Sequence, residues 1–150
     1  MKSIYILCLT LLALTCPALD RFAVLARVES ATKAHPEGND AAVGASGEVS
    51  RYQIMPSVWA EETRNVVVYP LGHPDQLRKQ SPTNAMDALE VAILIQSHRT
   101  ESFERLHKRQ PTDAEFYLLW HRPATVLGGR KPTAKEMERA QRFANLCARQ

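Results

Sequence analysis

The chain has 150 residues, 45% hydrophobic and 23% charged, a balance that supports a packed globular domain and argues against disorder. Nine prolines, six glycines and no visible internal repeat exclude collagenous, low-complexity and solenoid architectures. A formal charge of +3 suits an anionic polymer such as a cell wall as partner, but falls short of the basicity that would establish nucleic-acid binding.

Met1, Lys2 and Ser3 form a short basic start, followed by an apolar run from Ile4 to Leu14 that only Thr10 interrupts. That run is too short to span a bilayer and has the length of a secretory h-region. Cys16-Pro17-Ala18 supplies small residues at −3 and −1, so cleavage is expected after Ala18. Residues 1–18 are then a signal peptide and 19–150 an exported domain, periplasmic or extracellular, with no membrane span and expected as a monomer. Thr15 before Cys16 and Pro17 after it disfavour lipid anchoring. Cys8 and Cys16 leave with the signal, so the mature chain has one thiol, Cys147, and depends on its core rather than on an internal disulfide.

The mature chain reads as helical. Asp20 is a good N-cap for a first helix to about Ala31, with Phe22, Leu25, Ala26 and Glu29 on one face. A polar loop covers Lys33 to Gly47, Glu48 to Met55 reads as a short extended stretch, and Pro56 opens a helical turn through Trp59. Val66 to Tyr69 is a small β-like run. Asn84 starts the longest helix, toward Gln110, apolar nearly all round from Val91 to Ile95 and therefore expected at the centre of the fold. Thr112 with Glu115, and Thr133 with Glu136, are capping-box patterns for two further helices separated by Gly128-Gly129. Met137, Ala140, Ala144 and Cys147 form the apolar stripe of the last one. The expected fold class is mainly α, a single domain of five helices with a minimal β element.

Glu29 carries the chemistry. It extends an apolar stripe, so its carboxyl points toward a core or a cleft wall. Burial disfavours the carboxylate and keeps a proton available near neutral pH. A glycosidic bond requires such an acid, because its leaving oxygen must be protonated as the bond breaks. The alternative is a helix-end Glu that reaches solvent or pairs with Arg27 or Arg51. The histidines at 35, 73, 98, 107 and 121 make no metal-ligand spacing, and neither metal nor other cofactor is expected.

Three blocks extend this reading. Glu29-Ser30 ends a helix, Asn39 stands before Ala42-Val43, and Gly47 leads to Gln53-Ile54-Met55-Pro56. Together they resemble the start of the soluble lytic transglycosylase and goose-type-lysozyme domain. The helix from Ala114 to Val126 looks like that family's Ala-Tyr-Asn-Ala-Gly-Pro-Gly helix end, with Trp120-His121 in place of Tyr-Asn and Arg122-Pro123-Ala124 in place of Gly-Pro-Gly. The resemblance implies a lysozyme-like fold. It also implies Glu29 as general acid, then base, in cleaving the β-1,4 bond between N-acetylmuramic acid and N-acetylglucosamine of peptidoglycan glycan strands. Ser30, Gln53, Ile54 and Met55 would contact the sugar, with Tyr117, Trp120 and His121 on the opposite wall.

Two outcomes stay open for the bond. A lytic transglycosylase needs no second carboxylate, because the muramoyl O6 closes a 1,6-anhydro ring. A hydrolytic muramidase would use a second carboxyl, about 6.5–9.5 Å away if inverting and about 5–5.5 Å if retaining. Glu48 is the candidate for that part, with Asp40 behind it. A silent lysozyme-like glycan-binding module is the reading from another class, motivated by the altered Trp120-His121 wall.

Overall fold

The structure, a computed structural model, describes residues 17–64 and 79–149. Residues 1–16 of the expected signal peptide and the Val66–Tyr69 run lie outside these. The described chain is mainly α, with six helices and no extended strand.

The first helix, α1, spans Pro17–Ser30 and begins three residues earlier than Asp20 suggests. Phe22, Leu25 and Ala26 are buried as its periodicity predicts, with Val24 beside them. Helix α2 is Pro56–Thr63, opened by Pro56 and anchored by buried Trp59. The long helix α3, Ala85–His107, is capped by the Asn84 side chain, which accepts from the amides of Met86 and Asp87 at 3.0 and 3.1 Å. It stops at Lys108, which is left-handed at φ 56° and donates to Glu104.

Both capping boxes form, opening α4 (Asp113–His121) and α6 (Ala134–Cys147). Between them lies α5, Pro123–Leu127, which the sequence reading did not separate. Its cause is Pro123, which has no amide hydrogen and excludes the helical conformation at Arg122. Arg122 sits accordingly at φ −143°, and the helix axis breaks there.

The centre of the fold is α4 rather than α3. Every residue from Phe116 to Trp120 is buried, and α4 packs against α6, α5 and α3. Helix α3 buries a single face through Ala88, Val91, Ala92, Ile95 and Phe103, while Met86, Ile93 and Leu106 are exposed. On α6 the buried stripe is Ala140 and Phe143, and Met137 faces outward. Rings join the layers: Phe22 meets Phe116 edge-on at 5.5 Å, and Phe143 stacks on Phe116 and Tyr117 at 5.9 and 5.2 Å.

The minimal β element is a pair of antiparallel bridges, Val43 to Val49 and Val49 to Ile54. The expected extended stretch from Glu48 to Met55 is therefore a tight reversal. Ser50 and Gln53 both take positive φ, 71° and 53°, so that Val49 and Ile54 exchange amide bonds of 2.8 Å. Tyr52 swings into the core within that turn.

Phe143→Ala should cost about 3–5 kcal/mol in urea denaturation, because it removes the ring that joins α6 to Phe116 and Tyr117. A loss below about 1 kcal/mol would mean that α6 is not docked as described.

Candidate active site

The buried face of α1 carries Glu29 inward one residue before the helix ends, leaving its side chain 8% exposed. Burial pushes its pKa up to about 7. A hydrogen-bonding interaction with Tyr117 and the charge of Arg139 pull it down, while the charge of Glu48 adds to the rise. One carboxyl oxygen, Oε1, is buried with no hydrogen-bond partner. His121 Nε2 lies 3.5 Å from it.

His121 ends α4 and is 38% exposed. Burial of its ring and the cations Arg139 and Arg122 hold its pKa below the usual histidine range, so the imidazole is neutral at neutral pH. The contact with Glu29 therefore involves a neutral ring and is no ion pair. The arginines expected to neutralise Glu29 are engaged elsewhere: Arg27 with Glu37 at 3.7 Å, and Arg51 with both oxygens of Asp40 at 2.5 and 3.0 Å.

Ser30 fixes the following loop to the end of α1. Its hydroxyl donates to the carbonyl of Arg51 at 2.9 Å and accepts from the amide of Asn39 at 2.9 Å. The turn beyond it gathers Glu48 and Gln53 over Gly44. A Cβ at position 44 would collide with the Glu48 carboxylate and the Gln53 amide oxygen, so any other residue there would displace these two side-chain ends. Gln53 Nε2 donates to the Ser50 carbonyl at 3.0 Å. Glu48 accepts from the Ser46 amide at 2.9 Å, and backbone hydrogen bonds hold its pKa below the usual carboxylate range. Two carboxyls that sense each other thereby have pKa values moved in opposite directions, Glu29 up and Glu48 down.

The residues singled out from sequence divide into two groups. Glu29, Tyr117 and His121 meet at one point, with Glu48 within electrostatic reach of Glu29 and of His121. Gln53 lies beside Glu48 over Gly44. Ser30, Ile54 and Trp120 are buried in the scaffold behind: Ile54 pairs with Val49, and the Trp120 indole donates to the Tyr52 carbonyl at 3.2 Å. Met55 is partly exposed at the start of α2. The sequence reading missed Gly44 and Arg139. Arg139 follows Lys135 by four residues on α6, but nothing local tied that helix to Glu29.

No family model, no curated protein and no solved structure matches the chain. Among the described residues no group of three or more His, Cys, Asp or Glu side chains is placed to hold a metal, and no helix is long and apolar enough to cross a membrane.

The rise of the Glu29 pKa from 4.5 to about 7 corresponds to about 3 kcal/mol. Because the folded value lies above the unfolded one, this stability is fully present below pH 4.5 and is lost as pH rises through about 7. Glu29→Gln removes the titration. Relative to wild type, the variant should gain about 3 kcal/mol between pH 4 and pH 8, measured by paired denaturation curves. A difference that does not change with pH would show that Glu29 is solvated.

Proposed function

We propose that the protein is an exported peptidoglycan lytic transglycosylase in which Glu29 cleaves the β-1,4 bond between N-acetylmuramic acid and N-acetylglucosamine. The observation that carries this reading is a carboxyl whose pKa burial raises to about 7, so that it still holds a proton in much of the population near neutral pH, with one buried oxygen unpartnered. A general acid needs a proton at working pH, and the unpartnered oxygen keeps a hydrogen-bonding capacity that no protein group uses. The Glu-Ser and Gln-Ile-Met-Pro blocks that resemble the transglycosylase domain lie around this carboxyl and the loop that faces it.

In the proposed reaction Glu29 gives its proton to the bridging oxygen, and the bond from that oxygen to C1 of the muramoyl sugar breaks. The muramoyl O6 then attacks C1, and its proton passes to the Glu29 carboxylate. The cycle consumes no water and leaves Glu29 protonated. Neutral His121 beside Oε1 adds no positive charge that would draw the proton off. Tyr117 stands close enough to lower the carboxyl's pKa and so favours the carboxylate that forms once the proton is given.

One observation favours a second outcome, hydrolysis. Glu48 is ionised and shares the electrostatic environment of Glu29, and an ionised carboxylate can activate a water.

Digestion of purified sacculi by the mature protein should release muropeptides with 1,6-anhydro ends, read by mass spectrometry. Reducing ends would assign the hydrolase instead, and no soluble product would overturn both. Glu29→Gln should lower the rate at least about 10²-fold. With the acid form active, kcat/KM should be flat below pH 7 and fall about tenfold per unit above it.

A further inference from the structure

Beside the Glu29 contact lies a cavity of about 230 Å³, lined by Tyr117, His121, Arg122, Lys135, Glu136 and Arg139 among others. Tyr117 and His121 thus have one side toward Glu29 and another toward this recess. Its remaining wall comes from the start of α6. Lys135 and Arg139 are four residues apart on that helix, so they share a face.

The single acid of the cavity is already engaged. Glu136 closes the α6 capping box, accepting from the Thr133 amide and hydroxyl at 2.8 and 2.9 Å, and its other oxygen meets Arg122 at 3.3 Å. That accounts for one negative charge and one positive. Lys135 and Arg139 have no carboxylate within 4.0 Å among the described residues. Arg139 lies close enough to act electrostatically on Glu29, Tyr117 and His121, but Glu29, with a pKa of about 7, offers it only part of a negative charge at neutral pH. Two like charges at this spacing destabilise a helix slightly. A recess with two cations that no carboxylate pairs has the chemistry of an anion site, and its volume leaves room for a carboxylate with a short stretch of chain behind it.

We propose that this recess is a carboxylate subsite, in which Lys135 and Arg139 grip an acidic substituent of the glycan strand next to the bond that Glu29 attacks. This rests on the glycan-cleaving reading for its substrate, though not for its binding chemistry. Muramic acid supplies a carboxylate from two sources, the peptide stem or, where the stem has been removed, the lactyl group itself. An N-acetylglucosamine polymer supplies none. The subsite therefore selects muramic-acid strands over neutral ones by charge, in addition to any contact with the sugar rings.

Binding is best read without turnover, in the full chain carrying Glu29→Gln. Two probes distinguish the sources: the stem dipeptide L-alanyl-γ-D-glutamate, and amidase-stripped glycan that keeps only lactyl carboxylates. At least one should shift the His121 ring resonances and bind about tenfold or more tighter than its amidated counterpart, with an affinity that falls as salt rises. The probe that does so identifies the source. Lys135→Gln with Arg139→Gln should abolish this preference, and Lys135→Arg should keep it, because the charge is retained. Equal binding of acid and amide forms, or a double variant that binds like its parent, overturns the subsite. Charge-dependent binding without cleavage of sacculi by the wild type would retain the subsite and overturn the enzyme reading. Cleavage without charge-dependent binding would do the reverse.

Discussion

Everything near the candidate site depends on one costly burial, that of the Glu29 carboxyl. A helix that turns Phe22, Leu25 and Ala26 into the core must carry the next residue on that stripe inward as well. The carboxyl avoids the cost of an isolated buried charge by keeping its proton. Protonation in turn requires that no arginine pair with it: Arg27 goes to Glu37 and Arg51 to Asp40, while Arg139 lowers the Glu29 pKa without outweighing its burial. Had Arg51 reached Glu29 instead, the same burial would have produced a structural ion pair with no proton to give. The partner of Arg51 is thus as consequential as the position of Glu29.

The loop after α1 extends this logic to the second carboxyl. Ser30 ties Asn39 and Arg51 to the helix end, which folds the loop back toward Glu29. Positive φ at Ser50 and Gln53 compresses the reversal enough for Val49 and Ile54 to pair. Backbone strain of this kind persists only where surrounding contacts enforce it. Here they are the bridge hydrogen bonds and the burial of Tyr52. The outcome is a surface on which Glu48 stays ionised through backbone amides while Glu29, a short electrostatic reach away, stays neutral.

How much of this was legible in the sequence follows from the range of each interaction. Both capping boxes, the Asn84 cap and the α1 stripe are written within a few residues, and each stands in the structure as its local pattern indicated. Glu29 was legible for the same reason, since its place on the stripe is a matter of period alone. The reversal at Ser50–Gln53 was not, because alternation of Tyr52 and Gln53 imitates a strand while neither left-handed residue is glycine. The break at Arg122 was legible in Pro123 but was read past in favour of Gly128-Gly129. The central position of α4 and the cations beside Glu29 lay beyond reach, because they come from helices that meet only on folding. Val91 to Ile95 misled for a related reason: an all-apolar stretch identifies a buried helix only when neighbours cover both sides, and Ile93 faces outward.

The bracing of His121 illustrates how distant such determinants are. The last turn of α4 leaves carbonyls that its own amides cannot satisfy. Arg99, on α3, donates to those of Leu119 and Trp120 at 3.1 and 2.7 Å and lies over the Trp120 ring at 5.5 Å. Burial pulls its pKa below the usual arginine range, a cost that the charge-assisted bonds and the favourable helix C-terminus offset. The Trp120 indole passes the constraint on to the Tyr52 carbonyl, at the centre of the reversal that presents Gln53. One arginine that contacts neither Glu29 nor the His121 ring therefore braces the end of the helix bearing His121 and, through Trp120, the Tyr52 turn. Helix α3 thus braces from behind the helix end that carries His121, 3.5 Å from Glu29.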